Sequence, residues 1–266
     1  MTVAMRPYNV TWYLFLLVIV FIGIGLYLAL RYRQPLTQRR VMGTVAIANV
    51  MLYTAFTFQS ILNPDLPQVT LAQNLPFHLC QVVAFGLIAA YFFEWGWLSQ
   101  QLRLFLFYIG TITGTLATTS PVPYYVDRAF YSLAAIGFYG VHSMNAVMSI
   151  LLAVFGLYKP KYRDAVRAII YLLLLATLVL FLDIAMRAWI DPNVNYFYIF
   201  SPEGAGILAM LYNILPIPFL YIFLVVPIAL VGVPLVLVVY RGIERLVKAA
   251  SSASPVRDPQ GASATP

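Results

Sequence analysis

The sequence has very little charge for its length. Of its 266 residues, 9% are charged and 62% are hydrophobic, whereas charged residues make up about a quarter of an average soluble domain. So few charged residues exclude an ordinary soluble globular domain. The composition therefore predicts an integral membrane protein with several membrane-spanning segments.

Cysteine and histidine are also scarce, with one cysteine, Cys80, and two histidines, His78 and His142. A single cysteine excludes an intrachain disulfide and a two-cysteine redox relay. Two histidines without an HExxH motif cannot form the usual zinc protease site, and a seven-helix zinc hydrolase needs about three histidines. We therefore expect no metal site and no cofactor.

Further absences narrow the range of functions. Lys159 and Lys161 fall in a loop and Lys248 follows the last apolar run, so no lysine lies inside a membrane-spanning segment. This excludes a retinal Schiff base and hence a rhodopsin. The sequence also has neither a GxSxG elbow nor a P-loop. Cys80 is then either a buried apolar filler or a reactive thiol.

Seven stretches are each long and apolar enough to cross a bilayer core about 30 Å thick as a helix. They are residues 11–31, 41–61, 76–97, 103–121, 130–158, 166–190 and 215–240. The first is too long for a signal peptide and its positive charges come after it, so we expect it to remain as an anchor. The predicted fold is all-α, with a polytopic transmembrane domain of seven helices over residues 1–247 and a disordered cytoplasmic tail over 248–266.

Lysine and arginine follow the first, third, fifth and seventh apolar runs and are rare at their other ends. The positive-inside rule then puts the N-terminus outside and the C-terminus in the cytoplasm of a multi-pass protein of the cell membrane. The net charge of +7 is therefore mainly a topology signal. Because no aromatic-basic array accompanies it, we expect no nucleic-acid partner.

The third apolar run begins with three candidate site residues, His78, Cys80 and Gln81. His78 and Gln81 are three residues apart and share a face of a helix. Cys80 points about 200° away from His78 around a regular helix. If Cys80 is a nucleophile, its base should therefore come from another helix.

The fifth run offers that base in a polar stripe of His142, Asn145 and Ser149, spaced i, i+3, i+7 and expected to face the bundle interior. Ionisable groups inside a membrane are usually functional. The alternative is a neutral imidazole that hydrogen-bonds a neighbouring helix. On the second run, Asn49 and Tyr53 suit one face and are expected to pack between helices.

Two further polar sets lie in the fourth and sixth runs. Thr111, Thr115 and Thr118 share one helix face and could bind a polar head group, although such hydroxyls more often bond back to their own helix. Asp183 and Arg187 have opposite charges at i and i+4. We expect them to pair, either as part of a site or as simple structure.

The string Leu75-Pro76-Phe77-His78-Leu79-Cys80 resembles the signature of the YwaF-like family of bacterial integral membrane proteins. Asn195-Tyr196-Phe197-Tyr198, followed by Ser201-Pro202, resembles that family's segment between its last two helices. His142 also falls where the family has a histidine in a middle helix. The resemblance covers roughly residues 40–240 and implies a compact seven-helix fold.

The YwaF-like family is in turn distantly similar to eukaryotic transmembrane acyltransferases and to androgen-induced intramembrane threonine hydrolases. Those relatives act on lipid acyl chains through a nucleophilic cysteine or threonine with a histidine. The acyltransferase cysteine adjoins the helix-3 histidine, where this chain has Phe77. Two alternatives follow: Cys80 is the nucleophile, or the covalent mechanism does not transfer to this chain.

These observations support a lipid-modifying enzyme, catalysing acyl transfer or acyl-ester hydrolysis in the outer half of the bundle. Cys80 or a threonine would attack the ester carbonyl, and His142 or His78 would take the proton. The predicted substrate-binding residues are Gln81, Thr111, Thr115, Thr118, Asn145, Asp183, Arg187, Asn195 and Tyr196.

Two other functions stay open. The same histidine-lined cavity could serve a transporter or binding protein for a small polar or amphipathic solute. A scaffold or partner subunit of another membrane protein would instead pair its polar residues internally. In each case membrane lipids are the expected neighbours, with a lipid or fatty-acyl substrate for the enzyme, and the sequence leaves the oligomeric state open.

Overall fold

The structure is a computed structural model that describes residues 4–62, 70–121 and 123–252, and it is 77% helical. Within these ranges the helices are α1 (Val10–Leu30), α2 (Pro35–Leu62), α3 (Leu79–Phe92), α4 (Trp97–Phe105), α5 (Thr111–Thr119), α6 (Leu133–Ala135), α7 (Val141–Val154), α8 (Tyr162–Trp189), α9 (Gly206–Ile214) and α10 (Val225–Ser252). The predicted all-α membrane fold is confirmed at this level.

Five helical stretches in the described part of the chain are long and apolar enough to cross a membrane. They are Val10–Leu30, Pro35–Leu62, Leu133–Val154, Tyr162–Trp189 and Leu220–Leu246. The third predicted span corresponds to α3, which is apolar but has only 14 residues, fewer than the roughly 20 that a bilayer core needs. The fourth corresponds to α4, a π-helical turn at Leu106–Gly110 and α5. The count of seven spans and the orientation in the membrane stay predictions.

Side chains satisfy the backbone groups that helix ends leave without partners. The side chain of Asn9 caps α1 by accepting the backbone N–H of Trp12 at 2.8 Å. At the other end of the bundle, two arginines bind the last carbonyls of α3. Arg103 donates to the carbonyl of Ala90 at 3.0 and 3.1 Å, and Arg39 donates to the carbonyl of Tyr91 at 3.0 Å. These cations also complement the negative end of the helix dipole.

Two glycines allow the fourth helical segment to lie against α7. A β-carbon on Gly114 would lie 2.4 Å from the carbonyl oxygen of His142, and one on Gly110 would lie 2.3 Å from the hydroxyl of Ser149. Glycines four residues apart form the small-xxx-small pattern that lets membrane helices approach closely. The centre of the bundle therefore depends on close contact between backbones.

The two ends of the bundle have different chemistry. One end carries Arg39, Arg103 and Lys161, and we call it the basic end. At the opposite end, a two-residue strand β1 (Ala4–Met5) pairs antiparallel with β2 (Arg128–Ala129). A bidentate ion pair between Arg6 and Asp127 fastens the same contact, with N–O distances of 2.7 and 2.8 Å.

The last predicted span is interrupted near its start. The loop before this span contains the additional helix α9. The chain then bends at Leu215–Phe219, a segment with two prolines. After the bend the span continues as a 3₁₀ turn and then as α10. Phe219 has a positive φ of 65°. Helix α10 continues to Ser252, and the predicted disordered tail from residue 253 onward lies outside the described residues.

Candidate functional site

His78 occupies the N-cap of α3, so it precedes the helix instead of lying in its first turn. Its backbone is extended, with φ −67° and ψ 149°, and its N–H donates to the side-chain oxygen of Gln81 at 2.8 Å. The amide nitrogen of Gln81 donates in turn to the hydroxyl of Tyr53 on α2. Gln81 therefore helps to fix the start of α3, and it connects α3 to α2.

The segment between α8 and α9 lies over His78. The ring of Tyr196 is 5.4 Å from the imidazole, edge-on, and the ring of Tyr198 is 5.6 Å away. Phe197 and Tyr198 both have positive φ, 57° and 59°, a conformation that non-glycine residues adopt rarely and that clusters at functional sites. The hydroxyl of Tyr196 donates to the carbonyl of Ala72, which ties this segment to the chain just before α3.

Asp183 and Arg187 of α8 bind backbone groups of this segment. They do not form the predicted ion pair. Asp183 is fully buried, and one carboxylate oxygen accepts the backbone N–H of Tyr196 at 3.1 Å. Arg187 donates to the carbonyl of Val194 at 2.9 Å and lies 4.4 Å from the ring centre of Phe200. Among the described residues, the two charges have no N–O contact within 4.0 Å. Each side chain hydrogen-bonds to the backbone of the loop instead of to the other side chain.

Asn195 forms the turn of the same segment. Its amide nitrogen donates to the carbonyl of Ser201 at 2.8 Å and to a carboxylate oxygen of Glu203 at 2.7 Å, and its oxygen accepts the N–H of Phe200 at 2.8 Å. Because both ends of its side chain are occupied, Asn195 shapes the segment that carries Tyr196 and Tyr198. Its direct role in binding substrate stays a prediction.

Asp191 fastens the start of this loop outside the helices. It accepts hydrogen bonds from the hydroxyl of Thr70 and from the backbone N–H of Asn193, the latter at 2.8 Å. These bonds favour the ionised carboxylate and hold the pKa of Asp191 below its ordinary value of 3.8. The loop over His78 is therefore anchored by a charge-assisted contact near its start.

Cys80 is half-buried in the first turn of α3. Its carbonyl accepts a hydrogen bond from Asn145 of α7 at 2.9 Å. The expected separation of His78 and Cys80 around a regular helix does not apply, because His78 precedes α3. His78 borders Tyr198, and in the described part of the chain no hydrogen bond joins the thiol of Cys80 to an imidazole.

The polar stripe of the fifth run faces the interior, as predicted: His142, Asn145 and Ser149 are all buried. Asn145 accepts a hydrogen bond from Asn49 of α2 at 2.9 Å, so it links α2, α7 and the carbonyl of Cys80. The imidazole of His142 bonds the carbonyl of Phe138 in its own helical segment, with Nδ1 at 2.6 Å. This bond fixes the ring and leaves Nε2 as the nitrogen that could take part in chemistry.

The threonines of the fourth segment follow the structural alternative. Thr111 and Thr118 are buried, and their hydroxyls donate to the carbonyls four residues earlier at 2.6 and 2.7 Å. Thr118 also lies 3.3 Å from the hydroxyl of Ser143. Thr115 is exposed on the bundle surface, so the three do not line one buried surface as the spacing suggested. Their role in head-group binding stays a prediction.

The structure therefore brings together one group of predicted residues at the start of α3. They are His78, Cys80, Gln81 and Tyr196, with Asp183 bound to the backbone N–H of Tyr196. The sequence predicts a packing role for Tyr53 and no role for Tyr198, yet the Tyr53 hydroxyl binds Gln81 and the Tyr198 ring lies 5.6 Å from the imidazole of His78. Tyr198 belonged to a recognised motif, and that was the signal that could have identified it. Among the described residues, no three histidine, cysteine or acidic side chains converge to hold a metal ion.

Comparison with known proteins identifies a family. The model of the TMEM164 family matches residues 5–240, which is most of the chain and includes every residue of the group around His78. The chain belongs to the TMEM164 family, a family of transmembrane proteins. No curated protein and no solved structure gave a significant match.

Proposed function

We propose that this member of the TMEM164 family is a membrane enzyme that transfers or hydrolyses the acyl chain of a lipid ester. The observation that carries the proposal is the position of the His78 imidazole, which lies against Tyr196 and Tyr198 at the start of α3, two residues before Cys80. A thiol and an imidazole at the start of the same helix, in a bundle otherwise short of ionisable groups, would supply the nucleophile and the base that acyl transfer requires. The resemblance to the YwaF-like family and its similarity to acyltransferases support a lipid acyl substrate, while the acyltransferase cysteine corresponds to Phe77 of this chain, so the role of Cys80 rests on the proposal alone.

In the proposed reaction the sulfur of Cys80 attacks the ester carbonyl while His78 takes the thiol proton. The tetrahedral intermediate collapses, the carbon–oxygen bond of the ester breaks, and His78 returns the proton to the departing alcohol. A thioester remains on Cys80. A second alcohol, or water for hydrolysis, then attacks this thioester with His78 as the base, and the thiol is regenerated.

The neighbouring residues have supporting roles in this proposal. A hydrogen bond that fixes one ring nitrogen of His78 as the donor would leave the other nitrogen to accept the thiol proton. The phenol of Tyr198 is a candidate donor to the oxyanion. Asn145 holds the carbonyl of Cys80, and Asp183 holds the backbone N–H of Tyr196, so both act as positioning residues.

Trapping of the acyl-enzyme tests the mechanism. Purified protein in lipid nanodiscs is given a phospholipid with an isotopically labelled acyl chain, quenched in acid, and analysed by intact mass before and after neutral hydroxylamine, which cleaves thioesters. The wild type should gain one labelled acyl group that hydroxylamine removes. Because Cys80 is the only cysteine, the site of a thioester is unambiguous.

Variants assign the residues. Cys80→Ala should abolish the adduct, and His78→Gln should slow its formation by about 10²–10⁴-fold, the usual contribution of a general base. Thr177→Ala is the control for expression and purification of a variant protein. It loses only a hydroxyl that is hydrogen-bonded within its own helix at 2.9 Å. A labelled adduct that persists in Cys80→Ala would contradict the mechanism. Full activity of His78→Gln, with loss in His142→Gln, would move the role of base to His142.

A transporter or binding protein is the second candidate, and the interruption of the last span at Leu215–Phe219 favours it. Broken helices line the sites of many transporters. In this chain the break contacts the loop over His78, because the N–H of Phe219 donates to the carbonyl of Ile199 at 2.7 Å. Uptake of a labelled lipid or solute into proteoliposomes that is unchanged by Cys80→Ala would favour this candidate over the enzyme.

A further inference from the structure

A second polar site lies at the basic end of the bundle, away from His78. It is a cavity of about 370 Å³ between α4, the loop after α7 and the first turns of α8. His78 caps the first residue of α3, whereas Gln100 and Gln101 of the cavity follow the last residue of α3. The 14 residues of α3 therefore separate the two sites by about 20 Å.

The cavity has a strong excess of positive charge. Four cations line it, Lys159, Lys161, Arg163 and Arg167, against one carboxylate, Asp164. Asp164 is buried and already accepts a hydrogen bond from Tyr158 at 2.9 Å, with Arg167 at 3.5 Å as its ionic partner. Among the described residues, the other three cations have no carboxylate within 4.0 Å.

Helix α8 adds to this field. Lys161 is its N-cap and Arg163 lies in its first turn, so the positive end of a 28-residue helix points toward the same cavity. Three uncompensated cations at a helix N-terminus attract an anion with several acceptor oxygens, and a phosphate group has this chemistry.

The surroundings of the cavity indicate that the phosphate belongs to a lipid. Below Arg163 and Arg167, α8 presents an apolar stripe at intervals of four residues, consisting of Val166, Ile170, Leu174 and Leu178, with exposures of 54%, 49%, 58% and 67%. An anionic phospholipid matches both features, since its phosphate would reach the cations and its acyl chains would lie along the stripe. A soluble phosphate would contact only the cations and not the apolar stripe.

We propose that the cavity formed by Gln101, Lys159, Lys161, Arg163 and Arg167 binds the phosphate of an anionic phospholipid in the leaflet at the basic end of the bundle. This site is independent of the acyl chemistry proposed for Cys80 and His78. It would give the protein a preference for membranes, or regions of membrane, rich in anionic lipid.

Lipid titration of the purified full chain in detergent tests the proposal. The unfolding temperature is measured against phosphatidylglycerol, phosphatidylcholine and inorganic phosphate at fixed ionic strength, because a ligand that binds the folded state raises it. Phosphatidylglycerol should stabilise the wild type at concentrations where the other two do not. Lys159→Gln, Lys161→Gln and Arg163→Gln combined should weaken its apparent affinity by about a hundredfold, and Lys161→Gln alone by about fivefold.

A matched triple variant provides the control. Arg33→Gln, Arg40→Gln and Arg245→Gln remove the same charge from exposed positions that do not line the cavity, and should change the affinity by less than about threefold. Equal losses in the two triples would overturn the proposal in favour of diffuse surface charge. Equal stabilisation by inorganic phosphate would overturn the choice of a lipid, and equal stabilisation by phosphatidylcholine would overturn recognition of the anion.

Discussion

Replacing Gly114 with alanine should loosen the contact between α5 and α7. The added β-carbon would lie 2.4 Å from the carbonyl oxygen of His142 and 2.9 Å from the backbone nitrogen of Ala146. Both are backbone atoms of α7, so no side-chain rotation can relieve the clash. The helices would have to separate by about 1 Å to restore an ordinary contact near 3.5 Å.

The expected cost follows from two opposing effects. Overpacking of a well-packed interior costs about 1–3 kcal/mol, and a clash with backbone belongs in the upper part of that range. Alanine regains about 1 kcal/mol of helix propensity relative to glycine. We therefore expect Gly114→Ala to lower the free energy of unfolding by about 2 kcal/mol.

Gly25→Ala is the matched control, because Gly25 also lies in a long apolar helix but a β-carbon there meets nothing within 4 Å. The assay is reversible unfolding of the purified protein in mixed micelles, followed by far-UV circular dichroism as the denaturing detergent increases. Gly25→Ala should be neutral or more stable than the wild type. If Gly114→Ala were as stable as Gly25→Ala, the close backbone contact between α5 and α7 would be wrong.

Asn145→Ala should lower the free energy of unfolding by about 1–2 kcal/mol, since it removes two interhelical hydrogen bonds of roughly 0.6 kcal/mol or more each. The same unfolding assay checks this, and a neutral result would mean that Asn145 does not link α2 and α3. Asp191→Asn should destabilise the protein at neutral pH and not at low pH, because the folded pKa of Asp191 lies below the unfolded value and its contribution disappears as the pH falls through the folded value. Unfolding temperatures of both proteins between pH 7 and pH 3 should converge; a constant difference would refute the anchoring role.

Composition and periodicity were enough to predict much of the bundle. Long apolar runs predicted α1, α2 and α8 to within a few residues at most ends, because lipid exposure demands such runs whatever the tertiary contacts. They did not predict the shortness of α3. Arg39 and Arg103 bind its last carbonyls, and that termination depends on residues from two other helices.

The candidate site was predictable in composition and less so in geometry. His78 and Cys80 stood out because ionisable groups are rare in this chain, but their relation depended on where α3 begins. The helix starts at Leu79, one residue after His78, so the angle of a regular helix does not describe how the two side chains are placed. Asp183 and Arg187 were expected to pair, yet each binds the backbone of the loop, whose course no local pattern specifies.

The central claim is that Cys80 and His78 catalyse acyl chemistry on a membrane lipid. Steady-state turnover tests it most directly, with purified protein in vesicles that contain an acyl-labelled phospholipid and an acceptor lipid, and with released fatty acid and acylated acceptor both quantified. The account predicts multiple turnovers by the wild type, none by Cys80→Ala, and a rate for Thr177→Ala equal to that of the wild type. Turnover by Cys80→Ala at the wild-type rate would contradict it.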